Sequence, residues 1–186
     1  MKDLSLHILD LAQNSLRAGA TLVNFHLDEC TEENLFVLEI KDNGKGMSDQ
    51  EQEKALNPFY TTRTTRRVGL GLSLFEATVK RCGGELIIIS APGKGTQITA
   101  TFILNHWDIP PLGDIAGSLV TLIAGNPEVD FVYVHRRGAA EFLFDTRIIK
   151  DILEEVPIST PSVLDYLQKD IEKGLLQITN FKSNKI

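Results

Sequence analysis

Cysteine is nearly missing from this chain of 186 residues, which holds only Cys30 and Cys82. The two stand in no CxxC pair and no Cys/His cluster, so neither a disulfide framework nor a thiolate metal site is expected. No apolar run approaches the ~20 residues needed to cross a bilayer. Asp10, Gln13 and Asn14 interrupt the apolar pattern near the N-terminus, against the continuous core of a signal peptide. An excess of positive charge is lacking too. With 19 Lys and Arg against 25 Asp and Glu, the net charge is -6. That removes a general attraction to nucleic acid or anionic lipid and leaves only a local basic patch open. A cytoplasmic protein with reduced thiols and no membrane partner is the expectation. Finally, the chain has no G-x-x-x-x-G-K-[ST] segment, so a P-loop is excluded.

What is present reads as ordinary globular sequence, 42% hydrophobic and 24% charged, and the length suffices to bury a core. Residues 3–18 have helical periodicity. At 100° per residue His7, Asp10, Asn14 and Arg17 share an arc of roughly 80°, while Ile8, Leu11, Ala12 and Leu16 face a core. Residues 21–28 and 35–41 alternate as strands, and a short helix is expected over 49–56. Residues 57–70 carry Thr, Arg and Gly without apolar period, as a lid-like loop would. A helix over 70–82 stops at Gly83-Gly84, and a hairpin joins 85–90 to 97–104. The composition shifts at His106-Trp107-Asp108-Ile109-Pro110-Pro111, which predicts a boundary between 1–104 and 105–186. The second region is expected to hold helices over 113–125, 146–155 and 161–173 and a strand pair over 129–136 and 139–145. Ser159 or Thr160 would cap the last helix.

Several residues suit nucleotide chemistry. Asn14 sits mid-helix, where asparagine is a mediocre former. Its amide oxygen can enter the oxygen shell of Mg²⁺, or simply face solvent. Asp10 and Arg17 on the same arc favour the metal, with Arg17 offering charge-assisted bonds to a phosphate. Asp42 follows the apolar strand and can accept from the exocyclic amine of adenine. Gly44 and Gly46 then permit close backbone approach. A plain Asp-Asn-Gly turn is the rival account. Met47 can press on a base or fill the core. Gly69 and Gly71 at the start of a helix can present N–H groups to phosphate. Thr61, Thr62, Arg63, Arg66 and Arg67 precede them, and at least one of Arg66 and Arg67 suits a solvated basic loop better. Thr96 can bridge Asp42, a water and the base, or serve its own turn.

Taken together, five spaced elements stand in fixed order. They are His7-Ile8-Leu9-Asp10-Leu11-Ala12-Gln13-Asn14-Ser15-Leu16-Arg17, Asp42-Asn43-Gly44-Lys45-Gly46-Met47, Asn57-Pro58-Phe59-Tyr60-Thr61-Thr62-Arg63, Gly69-Leu70-Gly71-Leu72 and Gly93-Lys94-Gly95-Thr96. The set resembles the ATP-binding domain shared by sensor histidine kinases, anti-sigma-factor kinases, Hsp90, type II topoisomerases and MutL-type mismatch-repair proteins, the GHKL or Bergerat-fold group. The lid segments are similar to histidine kinases, and Asn14-Ser15-Leu16-Arg17-Ala18-Gly19-Ala20-Thr21 to the MutL first motif. The resemblance covers about residues 3–104. It implies an α/β (α+β) sandwich with a mixed sheet and helices on one face, to which 105–186 adds a small α+β region. It also implies Mg²⁺ on Asn14, adenine read by Asp42, and phosphates held by the lid from Phe59 to Leu72.

Two departures matter. Hydrolysing members carry a glutamate four residues before the metal asparagine, where this chain has Asp10, one methylene shorter. No phospho-acceptor helix hairpin fits before the first motif, so any acceptor is expected on a partner. The expected ligands are therefore ATP or ADP with Mg²⁺. The first expectation is a signalling kinase that transfers phosphate in trans. The alternatives are a slow ATPase with Asp10 as its base, or a nucleotide-switched interaction module. Residues 105–186 are open to a docking, core-extending or homodimerising role.

Overall fold

A computed structural model describes residues 3–56 and 70–180. Helix α1 (Leu4–Arg17) starts where the Asp3 carboxylate accepts the Leu6 N–H, and it carries Arg17 in its last turn, where a cation favours the helix dipole. Strands β1 (Leu22–Cys30) and β2 (Leu35–Asp42) follow as an antiparallel pair. Helix α2 (Asp49–Ala55) opens with a capping box in which Ser48 and Glu51 satisfy each other's backbone. Next come α3 (Leu70–Arg81) and the hairpin β3 (Leu86–Ala91) and β4 (Gly95–Ile103). The remainder forms α4 (Ile115–Gly125), β5 (Asp130–Arg137), β6 (Ala140–Asp145), α5 (Thr146–Leu153) and α6 (Pro161–Asn180).

All six strands lie in one mixed sheet, in the order β3-β4-β2-β1-β5-β6. Every neighbouring pair is antiparallel except β1 and β5, which run parallel with Leu27 beside His135. The period-2 alternation puts Val23, Phe25, Leu27, Phe36, Leu38, Ile40, Ala100, Phe102, Phe131 and Tyr133 on one buried face. Helices α1, α3, α4 and α6 supply Ile8, Leu11, Phe75, Val79, Leu119, Ile123, Leu167 and Ile171 to the same core. The other face carries polar residues such as Asn24, His26, Glu39, Gln97 and Thr99. Thus the chain past His106 extends the sheet that the first four strands began.

A buried network reinforces the parallel seam. His135 Nε2 lies 2.8 Å from Glu29 Oε1, and its Nδ1 lies 3.0 Å from the Tyr133 hydroxyl. Burial pushes the Glu29 carboxyl up, but the His135 hydrogen bond and the charges of His135 and Arg137 outweigh it and leave it below its ordinary value.

Two local expectations change. The last helix runs to Asn180 and not to 173, because Gly174 lies flush beneath Phe142 and Ile178 continues the buried stripe. A Cβ at Gly174 would fall 2.1 Å from the Phe142 ring. Thr160 does not cap that helix with its side chain, since its hydroxyl donates back to the Pro157 carbonyl at 2.7 Å. Among the described residues no helix is long and apolar enough to cross a membrane.

Candidate functional site

The expected ligand-binding residues that fall in the described segments gather where the C-terminal end of β2, the end of α1, the start of α3 and the β3–β4 turn meet. Asp42 is the last residue of β2, opposite Val23 on one side and Thr96 on the other. It is 7% exposed, and three donors converge on its carboxylate. Ser15 Oγ donates to Oδ2 at 2.7 Å, while the Gly44 and Thr96 N–H groups donate to Oδ1 at 2.9 and 3.2 Å. An ionised carboxylate can accept about four hydrogen bonds, so capacity for one more donor remains.

The loop after Asp42 is fixed before any ligand arrives. Asn43 Oδ1 accepts the Thr21 and Leu22 N–H groups at 2.9 and 3.0 Å, and its amide donates to Thr21 Oγ1 at 2.8 Å. Lys45 N–H reaches the Ala18 carbonyl, and the Lys45 carbonyl receives Gly93 N–H. Gly46 has φ +67°, and a Cβ there would stand 1.9 Å from the Ala91 carbonyl oxygen, so both its backbone angle and its surroundings require glycine. Met47 is half-buried and donates its N–H to Ser90 Oγ at 2.8 Å. Thr96 differs from the expectation in detail. Its backbone N–H holds Asp42, whereas its hydroxyl pairs with Ser90 Oγ at 2.9 Å.

On α1, Asp10 and Asn14 are both half-buried, one turn apart. The Asp10 carboxylate lies against the first turn of α3, where a Cβ on Gly71 would be 1.7 Å from Oδ2. Asn14 Oδ1 accepts Arg17 Nη1 at 2.6 Å, and Arg17 Nη2 donates to Gln13 Oε1 at 3.2 Å. Leu72 packs into the core, so only its backbone is left to face a ligand. Leu70 opens α3. Phe59, Thr61, Thr62, Arg63 and Gly69, with Arg66 and Arg67, lie outside the described residues.

His7 departs from the exposed arc expected of it. It is 1% exposed, wedged between α1 and α3 with its ring centroid 5.0 Å from that of Phe75. Neither ring nitrogen has a hydrogen-bond partner among the described residues. Burial pushes the imidazole down to about 4, against the upward pull of Asp10 and Asp3. It is thus a neutral packing residue in the α1–α3 seam.

Ser15 and Ser90 are the site residues that sequence reasoning passed over. Ser15 had a signal, since it is a polar residue on the buried side of an amphipathic helix, one position after Asn14. Ser90 had none, because its role depends on the turn that brings Met47, Gly95 and Thr96 around it.

The described residues contain no group of three or more His, Cys, Asp or Glu able to hold a metal. A divalent ion here needs oxygens from elsewhere, and phosphate is the natural source. The Asn14 oxygen suits such an ion, since it is accessible and already accepts a cationic donor.

The family model for the histidine kinase-, DNA gyrase B- and HSP90-like ATPase matches residues 2–106. The chain belongs to this family. A sensor protein of Shewanella frigidimarina is 38% identical over 103 residues, covering 54% of this chain and 16% of that protein. The sensor histidine kinase WalK of Bacillus subtilis is 37% identical over 84 residues, covering 42% and 14%. The matches therefore span about a sixth or less of those relatives' length. Among solved structures, the N-terminal domain of a DNA repair protein has a TM-score of 0.50 at 15% identity, covering 77% of this chain and 52% of that one. That likeness concerns the fold alone, and it takes in part of the chain beyond the family match. The protein thus contains a histidine kinase-like ATP-binding domain within an α/β sandwich.

Proposed function

We propose that this ATP-binding protein is a signalling kinase, with Asp42 reading adenine, Asn14 and the phosphates holding Mg²⁺, and a partner protein supplying the acceptor. The observation that carries the reading is the Asp42 carboxylate, buried at the end of β2 and fixed by three donors. A carboxylate so held can accept from the exocyclic amine of adenine, whereas guanine presents a carbonyl at that edge. The Mg²⁺ would neutralise phosphate charge, and Arg17 and the α3 N-terminus would position the γ-phosphoryl group. In the transfer, the partner's nucleophile bonds to the γ-phosphorus, the bond to the β–γ bridging oxygen breaks, and ADP leaves. The nucleophile's proton passes to a base on either protein. Positioning and charge neutralisation do most of such chemistry, which suits a site with few reactive groups.

A slow ATPase is the second reading, favoured by one contact. Asp10 lies against Gly71 at the start of α3, where a carboxylate can take a proton from water attacking a phosphate held there. Incubation with ATP and Mg²⁺, with released phosphate and intact mass recorded, separates the two. Phosphate release without mass gain that Asp10→Asn abolishes supports the ATPase. ATP binding that Asp42→Ala abolishes, with no phosphate release and a phosphoryl mass gain on an added partner, supports the kinase. Failure to bind ATP defeats both.

A further inference from the structure

The sheet ends in two unlike edges. At β3 the backbone is met by α2, where Gln52 Nε2 donates to the Ser90 carbonyl at 3.0 Å. At β6 no hydrogen bond among the described residues takes up the outer backbone groups. Which groups these are follows from the alternation along β5. The Asp130 N–H, and the Gly138 N–H just past the strand, reach the carbonyls of Thr21 and Glu29 on the β1 side. The Phe131 N–H faces the other way and bonds Thr146 Oγ1 at 2.8 Å. The antiparallel register then turns Ala140, Phe142 and Phe144 toward β5. It leaves the N–H and C=O of Glu141 and Leu143, and the N–H of Asp145, pointing outward. The strand lacks common protections of an edge, with neither proline nor lysine in Ala140–Asp145 and no bulge in its register with β5. Leu143, near its middle, is 53% exposed on the open face of the sheet and stands opposite Val134.

We propose that β6 pairs with the β6 strand of a second copy, antiparallel about a two-fold axis at Leu143, and joins the two sheets into one. The hydrogen bonding of the edge is self-complementary in that register. Each Leu143 N–H meets the other copy's Leu143 carbonyl, and each Asp145 N–H meets the other copy's Glu141 carbonyl. The charges match as well. Glu141 comes opposite Asp145 of the second copy, which alone would repel. Each carboxylate, however, brings its own cation. Arg136 holds Glu141, and Arg147 holds Asp145 through contacts of 2.6 and 3.0 Å. Two cations and two anions therefore meet at either end of the paired strands. Leu143 and Val134 of both copies form one apolar patch on the open face, while half-buried Phe142 comes beside the other copy's buried Phe144 on the core face. A two-fold contact of this kind closes both edges and leaves no strand for a third copy. Asp42 lies on β2, with β1 and β5 between it and this edge, so the contact leaves the candidate nucleotide site clear.

Proline at position 143 separates this pairing from the fold. The N–H it removes faces away from β5, so Leu143→Pro costs the ladder no bond and is tolerated as prolines on edge strands are. Leu143→Lys, at an exposed position, brings two ammonium groups together on the axis. Sedimentation of the whole chain is measured up to several hundred micromolar for wild type and both variants, with circular dichroism as the folding check. Backbone amide exchange of wild type is followed by NMR over the same range. Wild type is expected to move from the 20.6 kDa of one chain toward twice that mass in the micromolar range, as suits a small interface. Both variants are expected to weaken the association about tenfold or more, and high salt to restore part of it for Leu143→Lys. Exchange at the Glu141, Leu143 and Asp145 amides should slow as concentration rises, while Phe142 and Phe144, already bonded to β5, should not respond. A single-chain mass at every concentration overturns the proposal. So does a dimer that a folded Leu143→Pro or Leu143→Lys leaves equally tight, or one that protects other amides and not these three.

Discussion

Ser15 Oγ and Asp42 Oδ2 stand 2.7 Å apart, and their bond ties the end of α1 to the end of β2. The consequence is that the two halves of the site share a hinge of one peptide. Asn14, proposed to hold the metal, and Ser15, which fixes the Asp42 carboxylate, are adjacent on the same helix. A shift of α1 would pull on Asp42 through that bond. Under the proposed function, base recognition and metal binding are coupled there.

The first prediction follows from that bond. Ser15→Ala removes one of the three donors on a buried carboxylate and cannot be repaired by water if the site stays closed. A stability loss of about 1.5–3 kcal/mol is expected, the range for a hydrogen bond to a charged group. If Asp42 reads adenine as proposed, ATP affinity should fall by about tenfold, because the carboxylate gains freedom to turn. Denaturant titration and ATP calorimetry check the two effects. Loss of stability with unchanged ATP affinity would remove Ser15 from the site and leave it in the core.

Gly71 offers a probe of Asp10 that keeps its side chain and moves it. In Gly71→Ala the new Cβ would meet Asp10 Oδ2 at 1.7 Å, so the carboxylate must rotate away from α3. Adenosine binding should stay within about twofold, since Asp42 is untouched. Any ATP turnover should drop by about tenfold or more, as expected when a positioned group moves by an ångström. Equal turnover in Gly71→Ala and wild type would show that Asp10 does no chemistry there.

The local elements were legible because their signals are local. Period-2 and period-3.6 patterns and glycine stops set the strands and helices to within a few residues, except at the end of α6, which runs on to Asn180. The β1–β5 pairing was not legible. It joins Leu22–Cys30 to Asp130–Arg137 across a hundred residues, and nothing in either strand names its neighbour. His7 misled for a related reason. Its helical angle agrees with Asp10 and Asn14, but α3 leans on that end of α1 and buries it. The Asp-Asn-Gly-x-Gly stretch was readable as a site only together with its companions. Its actual fixation by Ser15 and Ser90 needed the fold.

The sheet order gives a prediction for the region past residue 104. β5 covers the edge of β1, and α4 and α6 pack on the same core as α1. A fragment of residues 1–104 would leave β1 as an edge strand and expose Val23, Phe25 and Leu27 from the side of α4 and β5. Such an edge invites association. The fragment is expected to show a lower melting temperature and concentration-dependent association in sedimentation. A monomeric fragment melting with the full chain would mean that 105–186 adds little to the core.

Acid should unfold this protein partly through His7. Burial holds the folded imidazole at about 4 while its ordinary value is 6.5. Between those values the unfolded chain binds a proton that the folded chain refuses, so stability rises with pH across this window and is lost as pH falls through it. The difference corresponds to about 3 kcal/mol, at 1.36 kcal/mol per unit. His7→Phe keeps an aromatic against Phe75 and removes the proton. Chemical denaturation at pH 7 and pH 4.5 should show wild type losing about 2–3 kcal/mol more than His7→Phe over that range. The variant should also match or exceed wild type at pH 7, since two buried nitrogens without partners among the described residues cost more than an apolar ring. Identical pH slopes in the two proteins would mean that His7 finds a proton partner on folding, and that the α1–α3 seam is polar where these contacts make it dry.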